Sequence, residues 1–248
     1  MRNLVKGLRR NRLIVAFFTA FLVAVPVVFA TPSTIDTREQ LNEWMMHYYQ
    51  HPQPDITVSA IEFMSREGTL SKAAAQPPIA AFLAQVFAQN PEKVQGWQTR
   101  LSAGGEDESR MMALAFWISG NEPLLKAMAG GPSASVAEYA KKLLSDRAPD
   151  LLKDEITNAG FLDMLWGSFF ATGDEQYVLR IISAVPLAKT EGDVTKMLIG
   201  GAARWSLTSN AVQHPKVMEI CEAELKRLPD DQKPALQEVI KTAREKKP

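Results

Sequence analysis

Three stretches of this chain repeat one pattern: Phe87-Ala-Gln-Asn-Pro-Glu-Lys-Val94, Trp117-Ile-Ser-Gly-Asn-Glu-Pro-Leu124 and Phe170-Ala-Thr-Gly-Asp-Glu-Gln-Tyr177. Each closes an apolar helical run on an aromatic residue and turns through small or helix-breaking residues. Each then restarts with Asn, Asp or Pro beside an early Glu. Asn and Asp side chains accept from the free N–H groups of a helix start, Pro fits its first turn, and a carboxylate there faces the positive end of the helix dipole. The three stretches therefore predict helix–turn–helix elbows, the building unit of stacked α-hairpin proteins.

Outward from the elbows the punctuation stays helical. Thr37-Arg-Glu-Gln40 has the form of a capping box and opens a helix to about Tyr49; Asp55 restarts one that Gly68 stops. Pro77-Pro78 opens the helix into the first elbow, and Ala103 to Ser109 reads as an acidic loop. Ser133 caps a further helix, Pro149 begins a short one, and Pro186 ends the third hairpin. A long segment from Glu191 to Thr208 leads to His214-Pro215, a helix containing Cys221, and a last helix with Leu236, Val239, Ile240 and Ala243 inward. No stretch alternates with period two between hairpin turns, so strands are not expected. The expected fold is all-α: about twelve helices stacked as antiparallel hairpins in an irregular α-solenoid.

The elbows are offset by 30 and then 53 residues, which is no strict repeat period. Leu165 to Val178 resembles the middle of a tetratricopeptide repeat, with Gly167, an aromatic residue three later at Phe170, and Gly173 before the second helix. The second helix departs from that pattern, with Val178 where a small residue is expected and Pro186 arriving early. The resemblance covers one hairpin and implies a TPR-like architecture.

The N-terminus reads as a targeting segment. Arg2, Lys6, Arg9, Arg10 and Arg12 precede an apolar run from Leu13 to Phe29, and Val28-Phe29-Ala30 places small residues at −3 and −1 of a cleavage site. A Sec-type signal peptide over 1–30, cut after Ala30, is expected, with a periplasmic or secreted domain over 31–248 and a sub-boundary near 130–150. The alternative is an inner-membrane anchor retained through residues 13–29, at the lower edge of spanning length. Removing residues 1–30 leaves 23 basic against 28 acidic residues, a net charge of −5. Nucleic-acid binding needs a basic face and is not expected. The lone cysteine, Cys221, allows no intramolecular disulfide; it shares a helical face with Val217, Leu225 and Leu228 and reads as a core thiol.

Motifs for catalysis are missing. The sequence holds no Gly-x-Ser-x-Gly, no Ser-x-x-Lys and no phosphate-cradling glycine loop. His47 and His51 stand one helical turn apart, a spacing able to chelate a metal, but without the intervening Glu of a metalloprotease and with His51 against Pro52. Acidic clusters at Glu106-Asp107-Glu108, at Asp150, Asp154 and Glu155, and at Asp230-Asp231 lack the calcium-loop pattern and read as loops and helix starts. No metal or cofactor is expected.

Five tryptophans, Trp44, Trp97, Trp117, Trp166 and Trp205, and the group Phe169, Phe170 and Tyr177 remain. Such residues fill the space between stacked hairpins, or they line a groove for a peptide or partner helix. The expectation is an exported scaffold or adaptor for an unidentified protein or peptide, with Trp166, Phe169, Phe170 and Tyr177 as the partner-binding candidates. The alternatives are an envelope hydrolase using a carboxylate or His pair in a cleft between hairpins, and an envelope structural protein held by its N-terminus.

Overall fold

The computed structural model describes residues 34–246; the expected signal segment over 1–30, the expected cut after Ala30 and the apolar run 13–29 lie outside them. Among the described residues there are twelve α-helices and no strand. They are α1 (Arg38–His47), α2 (Thr57–Arg66), α3 (Gln76–Gln89), α4 (Pro91–Ser102), α5 (Glu106–Ile118), α6 (Glu122–Ala129), α7 (Ala134–Ser145), α8 (Ala159–Thr172), α9 (Glu175–Ala184), α10 (Val194–Gln213), α11 (Pro215–Arg227) and α12 (Lys233–Lys246). Short 3₁₀ turns span Pro54–Ile56 and Val185–Lys189. No helix among the described residues is long and apolar enough to cross a membrane.

All three elbows join consecutive helices: α3 to α4, α5 to α6, and α8 to α9. The capping chemistry follows the sequence at the second and third elbows but not at the first, where Asn90 makes no side-chain cap bond and its Nδ2 donates back to the Val86 carbonyl (2.8 Å). Thr37 and Gln40 form a reciprocal capping box, and the side chains of Asn121, Ser133, Asn158, Asp174 and Asp193 each accept from a first-turn N–H. Gly173 ends α8 with φ +67°, and a Cβ there would stand 2.9 Å from Cδ2 of Tyr49. Glycine is therefore required at this elbow by both backbone conformation and close approach.

Helices α3 and α8 are apolar on nearly every side, the signature of helices buried all round. They pack against each other more extensively than any other pair, and α3 also packs on α5. The leading helices of the three elbows thus stand in a row ordered α5, α3, α8, which differs from their order in the chain. Gly167 makes the α3–α8 contact possible, because a Cβ there would collide with the carbonyl oxygen of Pro78 and lie 3.2 Å from the Phe82 nitrogen. Gln89 Nε2 donates to the Ala171 carbonyl (3.1 Å) and Tyr49 N to the Phe170 carbonyl (2.9 Å), tying the ends of α3 and α1 to the third elbow. One hydrophobic core runs from Ile35 to Ala243 and includes Cys221, whose thiol burial pushes up to about 12.

Two local expectations are corrected. The acidic stretch after Gly105 is not loop: Glu106, Asp107 and Glu108 form the first turn of α5, where carboxylates complement the helix dipole. Pro149 starts no helix. The Asp150 side chain accepts from Leu152 N (3.1 Å) and Asp154 accepts from Asp150 N (2.8 Å), so side chains take the backbone donors that would otherwise turn inward.

Candidate functional site

The aromatic candidates of the third elbow are interior. Trp166 and Phe170 stack at 5.7 Å, Phe169 lies 5.2 Å from Tyr49, and Phe170 lies 5.1 Å from His214. Trp166, Phe169, Phe170 and Tyr177 are all buried; Tyr177 alone also borders a surface cleft, beside Gly120 and Asp150. These rings tie α8 to Tyr49 in the turn after α1 and to His214 at the start of α11. Trp44 and Trp97 are buried as well, and Trp117 is half-buried with its Nε1 donating to the Asp146 carbonyl (3.1 Å).

The histidines are paired differently from the sequence expectation. His51 follows the end of α1 and is exposed. The ring of His47 instead lies 5.2 Å from that of His214, and its Nε2 is 3.7 Å from a Glu43 oxygen. His214 is 1% exposed; its Nδ1 is 3.5 Å from the Tyr49 hydroxyl and its Nε2 has no hydrogen-bond partner. Burial, and after it the neighbouring His47, lowers its pKa to about 4. No group of three or more His, Cys, Asp or Glu side chains converges as a metal site among the described residues.

The acidic clusters are tied to their own neighbours. Glu106 meets Arg110 at 2.7 Å, Asp150 meets Lys153 at 2.9 Å, Asp154 meets Arg147 at 2.8 Å and Asp230 meets Lys233 at 2.6 Å. These hydrogen-bonded cations hold Asp150, Asp154 and Asp230 below the usual carboxylate range. A general acid needs the opposite shift.

The exception to this inward-turned chemistry is α10. Asp193 caps it, accepting from Lys196 N at 2.9 Å, and it runs for 20 residues. Ile199, Gly200, Ala203, Leu207 and Ala211 form its buried side, and Gly200 packs so tightly on the turn Val185–Lys189 that a Cβ would collide with Ala188. The other side carries Val194, Met197, Leu198 and Trp205, which are 69%, 45%, 69% and 72% exposed. The spacing i, i+3, i+4, i+11 puts all four on one helical face, with Gly201 between them. Single exposed apolar residues are ordinary, whereas a contiguous patch that includes a tryptophan marks an interaction surface. The cation at its edge is neutralised: Arg204 lies 3.1 Å from Glu238.

The sequence left Trp205 with the other tryptophans as core filler or groove lining, and its exposure rules out the core for this residue. The segment is apolar on two sides, since Ile199, Ala203 and Leu207, spaced i, i+4 and i+8, make a second stripe. Periodicity finds both stripes and does not rank them. A scan against protein-family models finds no match, and searches of curated proteins and of solved structures find no relative.

Proposed function

We propose that this chain is an exported, non-catalytic helical scaffold that binds a protein partner through the exposed face of α10. The observation that carries the reading is the stripe Val194, Met197, Leu198 and Trp205, held in water on a helix whose opposite side is anchored in the core. Covering one such side chain fully is worth ~1.5–3 kcal/mol, and tryptophans are frequent centres of binding energy. The stacked elbows act as a rigid support for this face, in a TPR-like arrangement whose leading helices stand out of chain order. Export rests on the basic and apolar N-terminal pattern and the small residues before Thr31, which point to a periplasmic or secreted location.

The test is capture from the native envelope fraction, comparing the wild type with a Leu198→Asp/Trp205→Ser double variant of equal helicity. Partner recovery with the wild type and its loss with the variant is expected. Equal recovery with both, or conversion of a small molecule with no protein recovered, overturns the reading.

A further inference from the structure

Gly201 lies in the middle of a 20-residue helix, where glycine is the poorest residue after proline. Its neighbour Gly200 is required by the collision with Ala188, but a Cβ on Gly201 meets nothing within 4 Å and its φ is not in the left-handed region. No contact within the chain calls for glycine here. On the stripe Met197 and Leu198 lie four and three residues before it and Trp205 four after, with Arg204 three after at the stripe's edge.

Resting on the reading of α10 as a docking face, we propose that its occupant is a second copy of this chain, with two α10 helices antiparallel about a two-fold axis beside Gly201. A two-fold contact sets residues equally distant from the axis against each other. Trp205 of each copy then covers Met197 of the other, the aliphatic stem of Arg204 covers Leu198, and the helices approach closest where neither has a Cβ. Two copies of one face carry the same net charge, so a face without unpaired charge avoids repulsion on self-contact. Arg204, at the stripe's edge, is neutralised within each copy by Glu238 (3.1 Å). The exposed stripe from Val194 to Trp205 is ~18 Å long by helix rise and of the order of a few hundred Å². Two such stripes bury less than about 1,000 Å², the range of weak contacts, so a dimer that forms only at micromolar concentration or above is expected.

The test uses the full chain, purified in the form the cell accumulates, in sedimentation equilibrium and in cysteine cross-linking. Gly201→Cys has room to fold, and two such residues beside the axis fall within disulfide reach, about 4.4–6.8 Å between Cα atoms. Thr195→Cys on the same helix is displaced six residues from the axis and is the control. A concentration-dependent dimer is expected, with rapid oxidative cross-linking of Gly201→Cys, at least tenfold slower cross-linking of Thr195→Cys, and no dimer for Leu198→Asp. A monomer at every concentration, or a dimer in which both cysteines cross-link equally, overturns the proposal. A monomer that floats with phosphatidylethanolamine–phosphatidylglycerol vesicles also overturns it. So does a monomer that loses another protein partner on Leu198→Asp, and that last result leaves the docking-face reading intact.

Discussion

Alanine at Gly167 and at Gly201 should move stability in opposite directions, although both glycines lie inside helices. Ala is the better helix former by ~0.5–1 kcal/mol at either position. At Gly167 the new methyl collides with the Pro78 carbonyl and crowds the Phe82 nitrogen. Both obstacles are backbone, so no rotamer change relieves them and α3 must shift from α8. Overpacking of a filled core costs ~1–3 kcal/mol, which outweighs the propensity gain and leaves a net loss of about 1–2 kcal/mol. For a domain of this size that lowers Tm by about 2–8 °C. Gly201→Ala meets no atom of its own chain and should raise Tm by about 1–4 °C in dilute protein. Thermal melts followed by circular dichroism measure both. A Gly167→Ala variant as stable as the wild type, or a common sign for the two, would refute the close α3–α8 packing.

Other perturbations test the third elbow and the buried histidine. Phe170→Ala removes a ring stacked on Trp166 and set against His214, and should cost roughly 3–5 kcal/mol in urea titration. Asp174→Ala deletes the bond from Gln176 N (3.0 Å) and should cost on the order of 1 kcal/mol by the same titration, with unchanged fold by circular dichroism. His214 has a folded pKa of about 4 against 6.5 for the free side chain, so below pH 6.5 the unfolded chain binds a proton that the folded chain refuses. Stability should therefore fall as pH drops from about 6.5 to 4, by up to about 3 kcal/mol. The titratable groups facing it, His47 and Tyr49, and the Glu43 beside His47 are retained in a His214→Phe variant, and the difference between the two urea-derived profiles isolates this slope.

Local chemistry wrote the elbows plainly. Gly173 and Asp174 combine a residue without a Cβ with a capping carboxylate, so the stop of α8 and the start of α9 were legible to the residue. The row α5–α3–α8 was not. It depends on which apolar helix finds the groove that Gly167 opens, and both α3 and α8 are apolar all round, with no stripe to give direction. The pairing of His47 with His214 was hidden for a similar reason: tertiary packing joins the end of α1 to the start of α11, and no short spacing in the chain reports it. Trp205 shows the limit for function. A tryptophan in a helical segment with apolar residues on two sides reads as core or groove, and only the position of α10, with Gly200 pressed on Ala188, shows that its other face is left in water.

The central claim is that the Leu198–Trp205 face of α10 is the working surface of the protein. Its most direct test is a photo-crosslinking amino acid placed at Leu198 in the producing cell, compared with one at Lys241, an exposed position on α12. A discrete protein adduct from position 198, a second copy or another chain, and none from position 241 is the predicted result. No adduct at 198, or equal adducts at both positions, would contradict it.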